Sequence, residues 1–405
     1  MSHTPDAPPR LPPVWLLFAM MFVGQFATNV YLPGMADIAS DLETSLSSVQ
    51  LLVPAYLASF AFAQLVMGPL SDRFGRRPVI IAGLGIFTVA SIACVFAPDI
   101  PTLIMARVFQ ATGACATIVV GRAMIRDTSE GVAAAQAMAF LAIAMGIGPA
   151  TSPFIGGFLV TWFGWKSTFL VTAAVGALVF ACVVPMLEET LPRSMRNPPA
   201  PGQLLVEYFR LMRMRLFVTY SITVSFSTAA AQVYLTSIPI VFTVLMGVEP
   251  ELVGFFIMMM PPFFMTATWI SRRLANHLPI DRIILIGVAI SASGGLLQFI
   301  FGLWGVNSPY PVMAAFAISN FGTGMVFANC YAQALSSVPP AIAGSASALG
   351  GFIHMSWGAM VSLAVASVVH TSSLQMGIAQ MATTFLGLPT AIVLIFVFKR
   401  LARSG

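Results

Sequence analysis

One arginine stands inside an otherwise apolar stretch of the chain. Arg107 is followed three residues later by Gln110, and residues 101–121 around them are long and apolar enough to cross a bilayer. A charged side chain at membrane depth costs about 2.5–3.5 kcal/mol on insertion scales, so it is by default a functional residue. The structural alternative is an arginine that bonds backbone carbonyls and holds helices together. We expect Arg107 to face a central cavity and not lipid.

A second group of charged residues lies in the short segment that reads GPLSDRFGRRP, residues 68–78. Asp72 and Arg76 can pair there, Gly75 permits a sharp turn, and Gly68 would let two helices approach closely. Basic residues that merely anchor a membrane segment would need neither the glycines nor Asp72. The pattern therefore predicts a tightly turned loop with an internal ion pair.

Several polar and aromatic side chains within the apolar runs could line a cavity together with Arg107. Each alone is more often a helix–helix hydrogen bond or a core residue than a ligand contact. His354 is the one among them that titrates near neutral pH when unperturbed. The candidate lining residues are Gln25, Asn29, Tyr31, Arg107, Gln110, Phe226, Tyr234, Met259, Asn320, His354 and Trp357.

The elements that must position these residues are helices that cross a membrane. Hydrophobic residues make up 58% of the chain and charged residues only 8%, which is too few charges for a water-soluble surface. Such a composition excludes a soluble enzyme, a disordered chain and a disulfide-stapled secreted fold. The apolar runs lack the alternation of β-strands, so they predict an all-α membrane protein. Its twelve predicted spans are 14–35, 48–69, 78–97, 101–121, 132–160, 166–186, 216–244, 251–271, 283–304, 310–336, 342–369 and 374–398.

The basic residues predict how these spans are oriented. With the N-terminus in the cytoplasm, every Lys and Arg except Lys166 and the buried Arg107 falls on the cytoplasmic side. These residues are therefore topology signals at helix ends and not a nucleic-acid surface. Both termini are expected in the cytoplasm.

A polar, proline-containing stretch divides the spans into two groups of six. Gly156-Gly157-Phe158 is echoed by Gly350-Gly351-Phe352, and this offset of about 200 residues favours a half-repeat. The predicted division is an N-terminal tail (1–13), a first half (14–187), a linker (188–215), a second half (216–398) and a C-terminal tail (399–405).

The loop 68–78 resembles the signature loop of the major facilitator superfamily. Other motifs resemble its twelve-span drug:proton antiporter branch and, within it, the Bcr/CflA-type drug-resistance exporters. These motifs are Tyr31-Leu32-Pro33, Arg107 with Gln110, Arg122 with Arg126-Asp127, Gly148-Pro149 with Pro153 and Gly156-Gly157, and Trp165-Lys166 with Phe169. The likeness covers the whole chain and is weaker in the second half, where the matching loop, Arg272-Arg273 to Asp281-Arg282, lacks the glycines.

The resemblance implies the two-half fold of that superfamily and a conformational switch in two places. One is a charged cluster that steadies the outward-open state, and the other is a helix that seals one half against the other. The residues it assigns to the switch are Gly68, Asp72, Arg73, Gly75, Arg76, Arg77, Asp127, Gly148, Pro149, Pro153, Gly156 and Gly157. For the second group, helix packing alone is an equal alternative.

Proton coupling is where the chain departs from this resemblance. Many such exporters carry an Asp just before the Tyr-Leu-Pro of the first helix, whereas this chain has Asn29, which cannot titrate. We expect coupling through His354, with Asp37 as the entry-side alternative and Arg107 as a participant. A neutral His354 that bonds a neighbouring helix is an equal alternative.

The function that follows is proton-coupled export of small amphiphilic compounds by alternating access. The alternative is a carrier or facilitator for one metabolite. The chain has no GxxxxGK loop and no acid deep in a span, which argues against an ATP-driven pump and an embedded enzyme. No metal site or cofactor is expected, since the spacing of Cys94, Cys115, Cys182 and Cys330 is not that of metal ligands. We expect a monomer in a bacterial inner membrane whose partners are substrate, protons and lipid.

Overall fold

The computed structural model describes residues 12–129, 131–192, 196, 201–339, 342–368 and 372–403. The predicted N-terminal tail lies almost wholly outside these ranges, as do Arg10 and Arg193. Within them the regular elements are helices. Apolar composition and helical periodicity therefore produce the all-α fold that the sequence predicts.

Twelve helical segments long enough to cross a bilayer occur in the described ranges. Ten of them also have the composition of a membrane span, and the fifth and twelfth are single helices of 33 and 31 residues. We number them spans 1 to 12. Their bounds are Val14–Asp41, Leu46–Phe74, Arg76–Val95, Ile100–Thr128, Gly131–Phe163, Lys166–Met186, Arg215–Leu245, Pro250–Leu274, Ile280–Leu303, Pro309–Ser336, Ala343–Val368 and Ser373–Arg403.

Spans 1 and 8 are broken where proline interrupts the helical hydrogen bonds. Span 2 is also divided, into Leu46–Gln50 and Leu52–Phe74, and span 7 ends in a π-helical segment at Val241–Leu245. In span 1 the helix Val14–Asn29 gives way to a 3₁₀ turn at Leu32–Gly34 and a short helix at Met35–Asp41. Span 8 is divided into Pro250–Met258 and Pro261–Leu274. A proline lacks the N–H that an interior helical position needs, so both breaks follow from sequence. The break in span 8 lies directly before Pro261 and Pro262.

The helix contacts of the first six spans repeat in the second six. Span 1 packs on spans 4, 5 and 6, and span 7 packs correspondingly on spans 10, 11 and 12. Spans 2 and 3 pack on span 4, as spans 8 and 9 pack on span 10, and the pair 3–6 corresponds to the pair 9–12. The two halves thus share one internal arrangement.

The halves meet through two equivalent pairs of spans. Span 2 packs on span 11, and the first helix of span 8 packs on span 5. The second helix of span 8 packs instead on span 10 of its own half. We call the end of the bundle that carries the linker the linker end, and the opposite end the far end. Span 7 starts at the linker, so the first helix of span 8 that follows it lies at the far end. Spans 5 and 8 therefore meet at the far end.

The linker contains a helix that the sequence analysis did not anticipate. Pro201–Arg213, here called the linker helix, precedes span 7 and packs on spans 7 and 11. Its Leu211 is fully buried against the core of the second half. The two halves are therefore joined by an ordered element and not only by an extended chain.

Candidate functional site

Arg107 is fully buried and bonds the end of the first helix of span 1. Its Nη1 donates to the Ala27 carbonyl at 2.9 Å, and its Nη2 donates to the Thr28 carbonyl at 3.3 Å. Because that helix ends at Asn29, its last carbonyls lack the N–H partners that a continuing helix would supply. The break in span 1 thus creates the acceptors that hold the arginine. Arg107 is therefore buried within the first half and bonds backbone carbonyls, as in the structural alternative, and its place at a central cavity stays a prediction.

Two tyrosine rings enclose the guanidinium group. The guanidinium carbon lies 4.4 Å from the ring centroid of Tyr31 and 4.2 Å from that of Tyr56. Aromatic faces attract a desolvated cation by about 2 kcal/mol or more each. Tyr56 itself is fixed because its hydroxyl donates to the Gly24 carbonyl at 3.1 Å. In this conformation the guanidinium group has no exposed surface.

Among the ion pairs of the described residues, none joins Arg107 to a carboxylate. Its positive charge is balanced instead by carbonyl dipoles, ring faces and the amide oxygen of Gln110, which accepts from Nη1 at 2.5 Å. Gln110 in turn donates to the Ser91 hydroxyl at 2.7 Å, and its own side chain is fully buried. Arg107 Nε has no hydrogen-bond partner. The site is therefore a fixed cation with one spare donor.

The remaining lining candidates of the first half lie around this cation. Tyr31 is fully buried, and its hydroxyl has no hydrogen-bond partner. Asn29 is 8% exposed and comes directly after Thr28, whose carbonyl accepts from Arg107. Gln25 is half-buried on the side of span 1 that faces Gly148 of span 5. The structure thus brings Asn29, Tyr31, Arg107 and Gln110 together.

The lining candidates of the second half form aromatic pairs. The Tyr234 ring stacks on Phe316 with centroids 4.0 Å apart, and Phe226 lies 4.6 Å from Trp357. His354 is half-buried, with its ring 5.9 Å from that of Phe327. The Tyr234 hydroxyl and the Trp357 indole nitrogen are buried without hydrogen-bond partners. These donors would be available to a ligand.

Two further candidates of the second half lie near the break in span 8. Asn320 donates to the Met260 carbonyl at 2.9 Å, and the same carbonyl accepts from the Phe263 N–H at 3.1 Å. Met259 is 45% exposed at the break itself. The contacts described for the lining candidates of the first half stay within that half, and those of the second half stay within theirs. The structure therefore does not join the two groups of candidates into one closed pocket.

The charged cluster predicted at the linker end is present. Arg76 Nη1 donates to Asp72 Oδ1 at 2.6 Å, and Arg76 Nε donates to Asp127 Oδ2 at 2.8 Å. Arg76 is only 6% exposed, so these bonds are largely shielded from water. The turn between spans 2 and 3 is made by Gly75, whose φ of +101° favours glycine. The predicted pairing of Asp72, Arg76 and Asp127 is confirmed.

Glu189 completes this cluster and was not predicted. Its carboxylate accepts from the backbone N–H groups of Arg76 at 2.8 Å and Arg77 at 3.3 Å. These N–H groups open span 3 and have no partners inside the helix, so a carboxylate there is favourable. Arg77 also donates to the Leu187 carbonyl at 2.7 Å. The end of span 6 is thereby fixed to the beginning of span 3.

Two other residues of the loop make fewer contacts than the motif predicts. Arg73 is exposed, with its guanidinium carbon 5.3 Å from the ring centroid of Phe74. A Cβ at Gly68 would meet only the Val119 side chain at 4.0 Å, which is ordinary contact. The close helix approach expected at Gly68 is therefore wrong for this conformation.

Span 5 packs closely on both halves through its glycines. The helix continues through Pro149 and Pro153 from Gly131 to Phe163. A Cβ on Gly156 would strike the Val30 carbonyl of the same half. A Cβ on Gly157 would lie 2.6 Å from the Pro250 carbonyl, and one on Gly254 would strike the Pro153 carbonyl. Glycine at these positions lets spans 5 and 8 meet backbone to backbone.

Side-chain hydrogen bonds cross between the halves at the same end. The Trp162 indole nitrogen donates to Glu251 Oε1 at 3.0 Å, and Gln50 Nε2 donates to the Thr236 carbonyl at 3.2 Å. Together with the glycine contacts of spans 5 and 8, these bonds join the two halves at the far end. We call this set of contacts the far-end seam. In the described ranges, no three His, Cys, Asp or Glu side chains are grouped to hold a metal ion.

A helical membrane protein built from two matching six-helix halves has the architecture of a secondary transporter. The chain matches the Major Facilitator Superfamily over residues 15–363, and it belongs to that family. The predicted family and fold are confirmed. The family and its structural neighbours are transporters, so the protein is a multi-pass membrane transporter and not an enzyme.

The relatives of the chain are bacterial. It is 28% identical to "Multidrug resistance protein D" of Escherichia coli, with 96% of each chain covered. It is 26% identical to "Bicyclomycin resistance protein homolog" of Haemophilus influenzae, with 85% of this chain and 86% of the relative covered. A solved D-xylose-proton symporter superposes with a TM-score of 0.74 at 15% identity, covering 94% and 96% of the two chains. The last similarity concerns the fold alone.

Proposed function

We propose that the protein exports small amphiphilic compounds from bacterial cells. Two relatives that cover most of the chain are named for resistance to drugs, one to multiple drugs and one to bicyclomycin. The aromatic pairs of the second half and the unpartnered donors Tyr234 and Trp357 suit ligands with apolar bodies and polar groups. The substrate site proposed is the set of lining residues on spans 1, 4, 7, 8, 10 and 11.

The observation that carries this proposal is the far-end seam. Its bonds Trp162–Glu251 and Gln50–Thr236 join the halves at the far end, while the second helix of span 8 packs within its own half. A substrate site between two such halves can be exposed at one end while the other is closed. Transport then alternates between this conformation and one in which the far-end seam opens.

The charged cluster of Arg76, Asp72 and Asp127 at the linker end is the proposed counterpart of the far-end seam. Its buried bonds from Arg76 to Asp72 and Asp127 lie within the first half in this conformation. We assign the linker end to the cytoplasm because nearly all Lys and Arg residues fall on that side. Both termini are then cytoplasmic, in the inner membrane, and Asp37 is exposed on the outer side.

Proton coupling is proposed through His354, with Asp37 as the alternative. His354 is half-buried on span 11, which packs on span 2 of the other half. Asn29 leaves the neighbourhood of Arg107 without an acid, so a carrier must lie elsewhere. If the protein ignores an imposed pH gradient altogether, it is a facilitator and not an antiporter. We propose that it works as a monomer, because one chain supplies both halves.

The proposal is tested in a cell that lacks its own exporters. Expression of the protein should lower susceptibility to several unrelated amphiphilic antibiotics, and the same expression of an Arg107→Ala variant should not. Response to one compound only would favour the metabolite carrier. No change in susceptibility to any compound, with the protein present in the membrane, would refute export.

A further inference from the structure

The linker helix presents three different faces. Successive residues of an α-helix are rotated by about 100°, so residues three, four and seven apart share a face. Leu204, Glu207, Tyr208 and Leu211 form the face toward the protein, where Leu211 is fully buried. The remaining two faces are not covered by any described part of the chain.

One uncovered face is apolar. Leu205 is 61% exposed, Phe209 70% and Met212 50%, and these residues follow each other at spacings of four and three. Large apolar side chains in such a stripe are unfavourable in water, because removing each side chain from water is favourable by about 1.5–3 kcal/mol. A helix that keeps them exposed needs an apolar surface to cover them.

The third face is basic. Arg210 and Arg213 are both exposed and lie about 60° apart on the side opposite the protein. Neither has an ion-pair partner among the described residues. Val206, which is 67% exposed, lies between them. The two arginines thus lie on a different face of the helix from the apolar stripe, with Val206 as an apolar residue between them.

Two hydrogen bonds hold the helix across both halves. The Tyr208 hydroxyl donates to the Leu65 carbonyl of span 2 at 3.4 Å, and the Ser345 hydroxyl of span 11 donates to Glu207 Oε2 at 2.7 Å. Burial, and then the charge of Glu207, raise the pKa of the Tyr208 phenol, so the hydroxyl keeps the proton it donates. The helix is therefore fixed in depth relative to the spans.

That depth places the apolar stripe beside the lipid-facing surface of span 2. Val66, next to Leu65, is 54% exposed, as expected of a side chain that faces acyl chains, whereas the exposed Phe62 also packs on Phe352 of span 11 with ring centroids 5.4 Å apart. Tyr208 bonds this stretch and is followed directly by Phe209. Exposed apolar side chains of span 2 and of the linker helix thus lie on neighbouring elements at the linker end, and the occupant that fits them is the bilayer.

We propose that the linker helix is an interfacial helix that binds anionic lipid. Leu205, Phe209 and Met212 insert into the boundary between headgroups and acyl chains at the linker end. Arg210 and Arg213 bind the phosphates of anionic headgroups, as basic residues on amphipathic helices do. Bound lipid would then fix the position of the linker helix, which is hydrogen-bonded to span 2 and to span 11. This proposal rests on the membrane placement of the chain and not on export.

The insertion is measured with a nitroxide label in nanodiscs. Cys94, Cys115 and Cys330 are buried and Cys182 is half-buried, so Cys182→Ser gives a background with little labelling. Phe209→Cys places the label on the apolar face, and Met212→Cys repeats the measurement. Asn276→Cys, in the exposed turn between spans 8 and 9, is the control at the same end. Collisions with oxygen report lipid, and collisions with a nickel chelate report water.

We expect the labels at positions 209 and 212 to favour oxygen over nickel, and more strongly as phosphatidylglycerol replaces phosphatidylcholine. The label at position 276 should favour nickel throughout. Equal access of nickel at positions 209 and 276 in anionic nanodiscs would overturn the insertion.

The headgroup contact is measured with two double variants of equal charge. Arg210→Gln with Arg213→Gln should weaken insertion at a given fraction of phosphatidylglycerol by roughly fivefold for each arginine removed, and so raise the fraction needed for half-maximal insertion. Arg272→Gln with Arg273→Gln, at the exposed end of span 8, should leave it unchanged. The proposal is overturned if both pairs shift the midpoint equally, or if insertion ignores lipid charge.

Discussion

Replacing Gly254 by alanine should open the far-end seam. A Cβ there would strike the Pro153 carbonyl and lie 3.0 Å from Phe154 Cα. These are backbone atoms of the opposite half, so no flexible side chain can yield. Overpacking of this kind costs about 1–3 kcal/mol. The cost falls only on the conformation in which spans 5 and 8 touch, so the ratio of open to closed seam should rise about 5- to 150-fold.

The assay is labelling of a buried cysteine at the seam. Ser237 has no exposed surface and follows Thr236, whose carbonyl accepts the bond from Gln50. Ser237→Cys should therefore react slowly with a membrane-impermeant maleimide added at the far end. Adding Gly254→Ala should speed the reaction by the same factor as the population ratio, while the open state is still rare, and should slow transport.

The matched control is Gly156→Ala, which places a Cβ against the Val30 carbonyl within the first half. That clash is present whether the seam is open or closed. It should lower the yield of folded protein without speeding the labelling of Cys at position 237. If Gly254→Ala leaves the labelling rate unchanged, the assignment of spans 5 and 8 as the closing contact is wrong.

Three other predictions concern the charged groups. Asp72→Asn should cripple transport with normal expression, because Arg76 loses an ion pair at 2.6 Å; transport at the parent rate would contradict a switching role. Arg107→Ala should abolish export, and Arg107→Lys should restore only part of it, as measured by export assays in cells. A lysine ammonium cannot bond the Ala27 and Thr28 carbonyls and Gln110 in the planar geometry of the guanidinium. His354→Ala should abolish substrate accumulation driven by a pH gradient in vesicles. If that variant and Asp37→Asn both accumulate substrate normally, neither residue carries the proton.

Apolar length was enough to predict the spans, and the position of Pro261 and Pro262 accounts for the break in span 8. The Arg76 cluster was also predictable, because Asp72 and Arg76 are four residues apart around a turn that needs Gly75. Asp127 was placed correctly because it follows span 4 on the same side of the membrane.

Other parts of the site leave no trace in a single sequence. Tyr56 encloses Arg107 from span 2, but one tyrosine in an apolar helix looks like any core residue. Glu189 contacts span 3 from 112 positions further along the chain, and no local spacing indicates that contact. The linker helix was hidden because nearby prolines suggested an irregular linker, although apolar and polar residues alternate in it with helical periodicity.

The central claim is that the two halves alternate to move amphiphiles against a gradient. The most direct measurement uses proteoliposomes that hold the purified protein and a fluorescent amphiphile, with a pH gradient imposed across the membrane. The protein should drive accumulation of the amphiphile, and collapse of the gradient should release it. Transport only down the amphiphile's own gradient, whatever the pH difference, would contradict coupled export and leave a facilitator.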